Sequence, residues 1–140
     1  MGEVFFSLRK KTKKDFRWGL NQIRKDAETR FVRFPEGSAF TGEEAMDEMM
    51  RLNQSCWNES GRPGVFKRKR FRNFHKDVAR CFHKTNQTVF FLYRDGKPVA
   101  VEYGFILEEK FYSYQAGYDP NYKKYGIGKV VQLLTIQYFF

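Results

Sequence analysis

Two glycines one residue apart, Gly126 and Gly128, stand among Lys123, Lys124 and Lys129, with Tyr125 and Ile127 completing the run. Glycine lets backbone N–H groups come close to a bound anion, and a helix that begins there adds unpaired donors and a favourable dipole. The lysines surround the spot with positive charge. The chemistry expected of such a loop is the cradling of a phosphate group.

The elements on either side suit that role. Tyr112, Tyr114 and Ala116 alternate with Ser113, Gln115 and Gly117 as a pleated strand requires, and Asp119-Pro120-Asn121 is turn chemistry that ends it. Upstream, residues 88–93 and 98–107 flank Asp95-Gly96, a pair suited to the positive φ angles of a tight hairpin, and Glu108-Glu109-Lys110 makes the next reversal. Three antiparallel strands therefore form a meander that leads into the glycine loop and a helix.

Helices precede the meander. Thr12-x-x-Asp15 reads as a helix start with Phe16, Leu20, Ile23 and Ala27 on its packed face, and residues 30–34 alternate as a short strand before Pro35. Thr41-x-x-Glu44 is a capping box, and Ala45, Met46, Met49, Met50 and Leu52 place a second helix on the core up to Trp57. After Gly61-Arg62-Pro63-Gly64 comes the most basic stretch. Residues 67–84 hold eight Lys and Arg against one Asp, with Phe71, Phe74, Val78 and Phe82 expected to face inward. Such a face is either solvated or a contact for an anionic partner.

Lys123-x-x-Gly126-x-Gly128 after a Tyr-rich strand resembles the pyrophosphate loop of the GNAT N-acyltransferase superfamily, with Lys123 where that family carries Arg or Gln. More narrowly, Phe111-Tyr-Ser-Tyr-Gln-Ala-Gly-Tyr-Asp-Pro-Asn-Tyr122 is similar to FemAB-like and CelD-like acetyltransferase domains, as are Phe74-His-Lys-Asp-Val78 and Asp95-Gly-Lys-Pro-Val-Ala100. The resemblance implies an α/β (α+β) fold and transfer of an acyl group from acyl-CoA, without a metal, to an amine on a small molecule such as a sugar or cell-envelope precursor. It assigns the co-substrate to Gln115, Ala116 and Gly117 on the strand and to Lys123, Lys124, Tyr125, Gly126, Ile127, Gly128 and Lys129 in the loop. Glu102, Tyr114, Tyr118 and Asp119 are the proton-transfer candidates, by type and by nearness to that strand. FemAB-like members take aminoacyl-tRNA as donor, which keeps tRNA open as a partner. A nucleic-acid module without catalysis, built on residues 67–84, is the alternative from another class.

The expected organisation is a helical segment over residues 1–60 and an acyltransferase domain over residues 61–140. With 140 residues, 41% of them hydrophobic and 19% aromatic, the chain can bury one real core. A net charge of +10 favours anionic partners. Cys56 and Cys81, with His75 and His83, are too few and too unpatterned for a disulfide framework or a zinc site. No apolar run is long enough to cross a membrane, and the expected location is cytoplasmic. Residues 130–140 are apolar nearly all round and end without a cap or polar tail. This leads us to expect a piece of a longer protein whose further strands cover that helix, or a homodimer that buries it.

Overall fold

A computed structural model describes residues 7–82 and 86–139, except for the side chain of Phe82. His83 and Lys84 lie outside the described residues. The order of elements is α1 (Lys10–Arg24), β1 (Thr29–Phe34), α2 (Gly42–Glu59), α3 (Lys69–Phe82), β2 (Gln87–Arg94), β3 (Lys97–Leu107), β4 (Lys110–Tyr118) and α4 (Ile127–Phe139). Short 3-10 turns at Val65–Lys67 and Pro120–Tyr125 lead into α3 and α4.

The four strands form one antiparallel sheet in the order β1-β2-β3-β4. Alternation along the strands sends Val89, Phe91, Tyr93, Val101 and Tyr103 to one face, where Met46, Met49, Met50 and Leu52 of α2 and Ala79 of α3 meet them. Leu92 and Ala100 point to the other face, against Phe16 and Ile23 of α1 and Ile127, Val130, Val131 and Leu133 of α4. The protein is an α/β sandwich of three layers, with the sheet between α2/α3 and α1/α4. The N-terminal helix α1 thus supplies part of the cover for apolar α4.

Local signals explain much of this. Thr41 accepts from the Glu44 N–H while the Glu44 carboxylate takes the Thr41 N–H, so the capping box closes in both directions. Asp95 and Gly96 both have positive φ (49° and 75°), the geometry of the expected hairpin turn. Gly117 is required by packing: a Cβ there would lie 2.3 Å from the backbone nitrogen of Asn53, so α2 rests directly on β4.

Three expectations are corrected. Helix α1 begins at Lys10 behind Arg9, so Thr12 sits within it and caps nothing, and Ala27 falls beyond its end. The inward face of α3 is turned by one residue: Phe74 is 58% exposed, while His75 and Ala79 are each 2% exposed and buried. Aromatic rings of Phe66, Phe71, Tyr103 and Tyr114 surround His75, so an imidazole takes the place expected of a phenyl ring. Finally, strict alternation along β4 breaks. Tyr103 pairs with Gln115 and Gly104 with Ser113, which makes Tyr114 the extra residue of a β-bulge.

Candidate acyl-donor site

The C-terminal end of β4 runs into a tight sequence of local structures. Asp119 accepts the Asn121 N–H (2.9 Å) with Pro120 at the first position of the 3-10 turn, and Gly126 closes that turn in the left-handed conformation (φ 65°, ψ 33°). The helical ladder of α4 then starts with the N–H groups of Lys129 and Val130, both donating to the Gly126 carbonyl (3.0 and 3.1 Å). The N–H groups of Ile127 and Gly128 precede that ladder at the positive end of the helix. A Cβ on Gly128 would stand 3.2 Å from the ring of Tyr118, so the loop, the helix start and the strand end are in contact.

A cavity of about 530 Å³ opens over this helix start. Tyr118, the loop from Lys123 to Lys129, and Gln132 and Leu133 of α4 form one wall; Thr12, Asp15, Phe16 and Trp18 of α1 form the other. The indole of Trp18 lies 5.9 Å from the Tyr125 ring, and the Lys124 ammonium sits 5.0 Å above that ring's centroid. Lys123 is drawn aside by the Glu59 carboxylate (2.8 and 2.9 Å), which raises its pKa through that hydrogen bond and the charge behind it. Of the three lysines, neither Lys124 nor Lys129 has an ion-pair partner among the described residues, whereas Lys123 is held by Glu59.

The outer edge of β4 is the second component. Asn53 of α2 donates to the Ala116 carbonyl (2.6 Å), and Cys56 brackets Tyr118, its sulfur accepting the Tyr118 N–H (3.1 Å) and its thiol donating to the Tyr118 carbonyl (3.2 Å). Backbone groups of alternate residues point the same way along a strand, so Ala116 and Tyr118 face outward while Gln115 and Gly117 pair with β3. Burial raises the Cys56 pKa, which keeps the sulfur a neutral thiol.

A left-handed glycine turn that opens a helix after the last strand of an antiparallel meander is thus joined to a cavity lined by Lys123, Lys124 and Lys129. The model of the acetyltransferase (GNAT) domain matches residues 10–139. The chain belongs to the GNAT acetyltransferase family. No curated protein matches it. The match takes in α1, β1 and α2 as well as the meander and the loop, and β1 pairs along its whole length with β2.

Within the GNAT domain, the cradle candidates Lys123, Lys124, Tyr125, Gly126, Ile127, Gly128 and Lys129 all line the one cavity, together with Tyr118. Gln115 accepts from Asn53, Ala116 is exposed at the strand edge, and Gly117 is buried under α2. The four proton-transfer candidates are dispersed. Glu102 is 2% exposed on the α1/α4 face, where the Ser113 hydroxyl donates to it and burial raises its pKa. Tyr114, 45% exposed, lies on the opposite face over His75 and Tyr103. Tyr118 faces Gly128, and Asp119 is engaged as the turn cap. Among the described residues no cluster of His, Cys, Asp or Glu could hold a metal, and no helix is long and apolar enough to cross a membrane.

Four contributors escaped the sequence: Trp18 and Asp15 on the cavity wall, and Asn53 and Cys56 at the strand edge. Trp18 did carry a signal, being a large aromatic outside the Phe16-Leu20-Ile23 stripe of its own helix.

Proposed function

We propose that this GNAT domain transfers an acyl group from acyl-CoA to an amine. The observation that carries the proposal is the left-handed Gly126 turn, which delivers the Ile127 and Gly128 N–H groups and Lys129 to one cavity. A pyrophosphate there would accept from both amides and face Lys124 and Lys129. The acyl arm would then run back along β4 toward the bulge at Tyr114, where the outward Ala116 N–H is the available donor to the thioester oxygen.

In the reaction the amine nitrogen attacks the thioester carbonyl carbon, the oxygen takes up negative charge, and the C–S bond breaks to release CoA thiolate. The amine proton needs an acceptor. Glu102 fits best, acting through the Ser113 hydroxyl that donates to it, because a carboxyl raised by burial is a stronger base than a solvated one. Tyr114, exposed at the bulge on the face opposite Glu102, is the candidate to protonate the departing thiolate.

The amine is assigned to a sugar or cell-envelope precursor on the likeness of Phe111–Tyr122 to FemAB-like and CelD-like proteins. Two competing readings, an aminoacyl-tRNA donor and a nucleic-acid module, would rely on the basic face of α3. Along the helical part of that face, Lys76 pairs with Asp47 (2.7 Å), Arg80 pairs with Glu43 and Asp77, and Arg72 donates to the carbonyls of Phe66 and Lys67, which leaves the unpaired cations at its N-terminal end. Release of free thiol from acetyl-CoA in the presence of amino sugars tests the reading. Acceptor-dependent release that Glu102→Gln abolishes supports it, and release indifferent to that change contradicts the assignment of the base.

A further inference from the structure

A second concavity, of about 580 Å³, lies away from the donor cavity, between the C-terminal turns of α2 and the start of α3. Its apolar surface comes from Trp57, Pro63, Val65 and Phe71, and its cations are Arg62, Lys67 and Arg68. The volume is that of a small-ligand site.

The walls are fixed in place. Gln54 donates to the Pro63 carbonyl (2.8 Å) and the Arg62 N–H donates to the Trp57 carbonyl (2.9 Å), so the loop is tied to α2. Gly64 adopts φ 64°, and a Cβ there would strike the Trp57 ring at 2.8 Å, which shows how closely the indole is held against the loop. On the other side, Arg72 donates to the carbonyls of Phe66 (2.7 Å) and Lys67 (2.8 Å) and anchors the turn before α3.

The charge around this groove differs from that on the rest of α3. Among the described residues, Arg62, Lys67, Arg68, Lys69 and Arg70 have no acid within ion-pair distance. Lys69 and Arg70 stand in the first turn of α3, which contains no acidic residue, at the helix end where cations are disfavoured. Among the described residues no acid offsets that concentration of charge, which makes the groove attractive to an anion.

We propose that this groove binds a nucleoside phosphate unit, with the flat base against Trp57 and the phosphate on Arg62, Lys67 and Arg68. An aromatic platform beside three cations, two of them arginines able to grip phosphate with paired N–H groups, is the chemistry that such a unit requires. The site shares no residue with the donor cavity, so it stands or falls separately from the acyl-CoA reading. The unit could be a free nucleotide, including one that carries the acceptor amine, or a residue of a single strand.

Trp57 is one of only two tryptophans, and a Trp18→Phe variant isolates its fluorescence. AMP titrated into that variant is expected to quench the Trp57 emission to saturation, with adenosine alone and inorganic phosphate alone at least about tenfold weaker. Arg68→Glu, at an exposed position, should weaken the AMP response about tenfold or more, whereas Gly128→Glu should leave it unchanged. A thymidine decamer separates the sources: tighter binding than AMP with a steep log-salt slope assigns the groove to a strand, and no gain over AMP assigns it to a free nucleotide. Absence of quenching by both ligands in folded protein overturns the proposal. So does an equal response to inorganic phosphate, or an AMP response that Gly128→Glu removes and Arg68→Glu does not.

Discussion

Gly19 of α1 and the carbonyl of Tyr125 approach so closely that a Cβ on Gly19 would come within 2.3 Å of that oxygen. The contact fixes α1 against the loop that opens α4 and so sets the width of the cavity between them. Gly19→Ala must push the helix away from a backbone group that cannot rotate aside. We expect a loss of about 1–3 kcal/mol in stability by denaturant titration, together with weaker binding at the cradle. Unchanged stability would show that α1 is free to shift.

Glu102 provides a pH test. Burial raises its pKa against the smaller opposing effect of the Ser113 hydrogen bond. The native carboxyl therefore holds its proton to higher pH than the unfolded one. Its contribution to stability is whole below the ordinary carboxylate range and fades as pH rises through the raised native value. Glu102→Gln, which mimics the protonated form, should raise the melting temperature more at pH 7 than at pH 4. An equal change at both values would mean that the carboxylate is not penalised by burial.

Tyr103 ties two buried polar groups together. Gln87 donates to its oxygen (2.8 Å), and its hydroxyl stands 3.1 Å from His75 Nδ1. Either neutral tautomer of His75 closes the contact, Nδ1 accepting the Tyr103 proton or donating to its oxygen, while Nε2 is buried without a partner among the described residues. Burial pushes Tyr103 up to about 12 and His75 below the usual imidazole value. Tyr103→Phe leaves both partners unsatisfied and should cost roughly 1–3 kcal/mol. His75 contributes stability above the ordinary imidazole pKa and loses it as pH falls through the lowered native value. Histidine NMR should therefore show His75 titrating below the ordinary imidazole range, and a midpoint at or above that range would contradict its burial.

Glu59 restrains Lys123 at 2.8 Å, at the edge of the donor cavity. Both groups are largely exposed, so the pair adds little to stability. Its effect should appear in anion binding: Glu59→Gln frees Lys123 and should tighten acetyl-CoA binding about two- to fivefold at low salt, with the gain fading near 0.5 M salt. Weaker binding in that variant would mean that the carboxylate holds Lys123 in its working position.

The parts of the fold written in short, local codes were legible. Thr41 and Glu44 announced α2, Asp95-Gly96 announced the hairpin, and Gly126-x-Gly128 announced the turn into α4, because each rests on a few neighbouring residues. What depended on long-range packing was not. The bulge at Tyr114 arises from how β4 pairs with β3, and a periodic pattern cannot show an extra residue. Phe74 looked like a core position at helical spacing, yet the Tyr103 hydroxyl lies where an imidazole can bond and a phenyl ring cannot, and the helix presents His75 instead. Asn53 and Cys56 read as ordinary helix positions; their role follows from the close seating of α2 on Gly117. In the candidate site the loop half was visible, and the α1 half, including Trp18, was hidden by 100 residues of separation.

Calorimetric titration of acetyl-CoA into the wild type and into Gly128→Glu asks whether the loop holds a pyrophosphate. A carboxylate at that position would crowd the Tyr118 ring and set negative charge in front of the Ile127 and Gly128 N–H groups. Saturable binding by the wild type that the folded variant loses is the predicted result. Equal binding by both proteins, or none by folded wild type, would contradict the phosphate cradle.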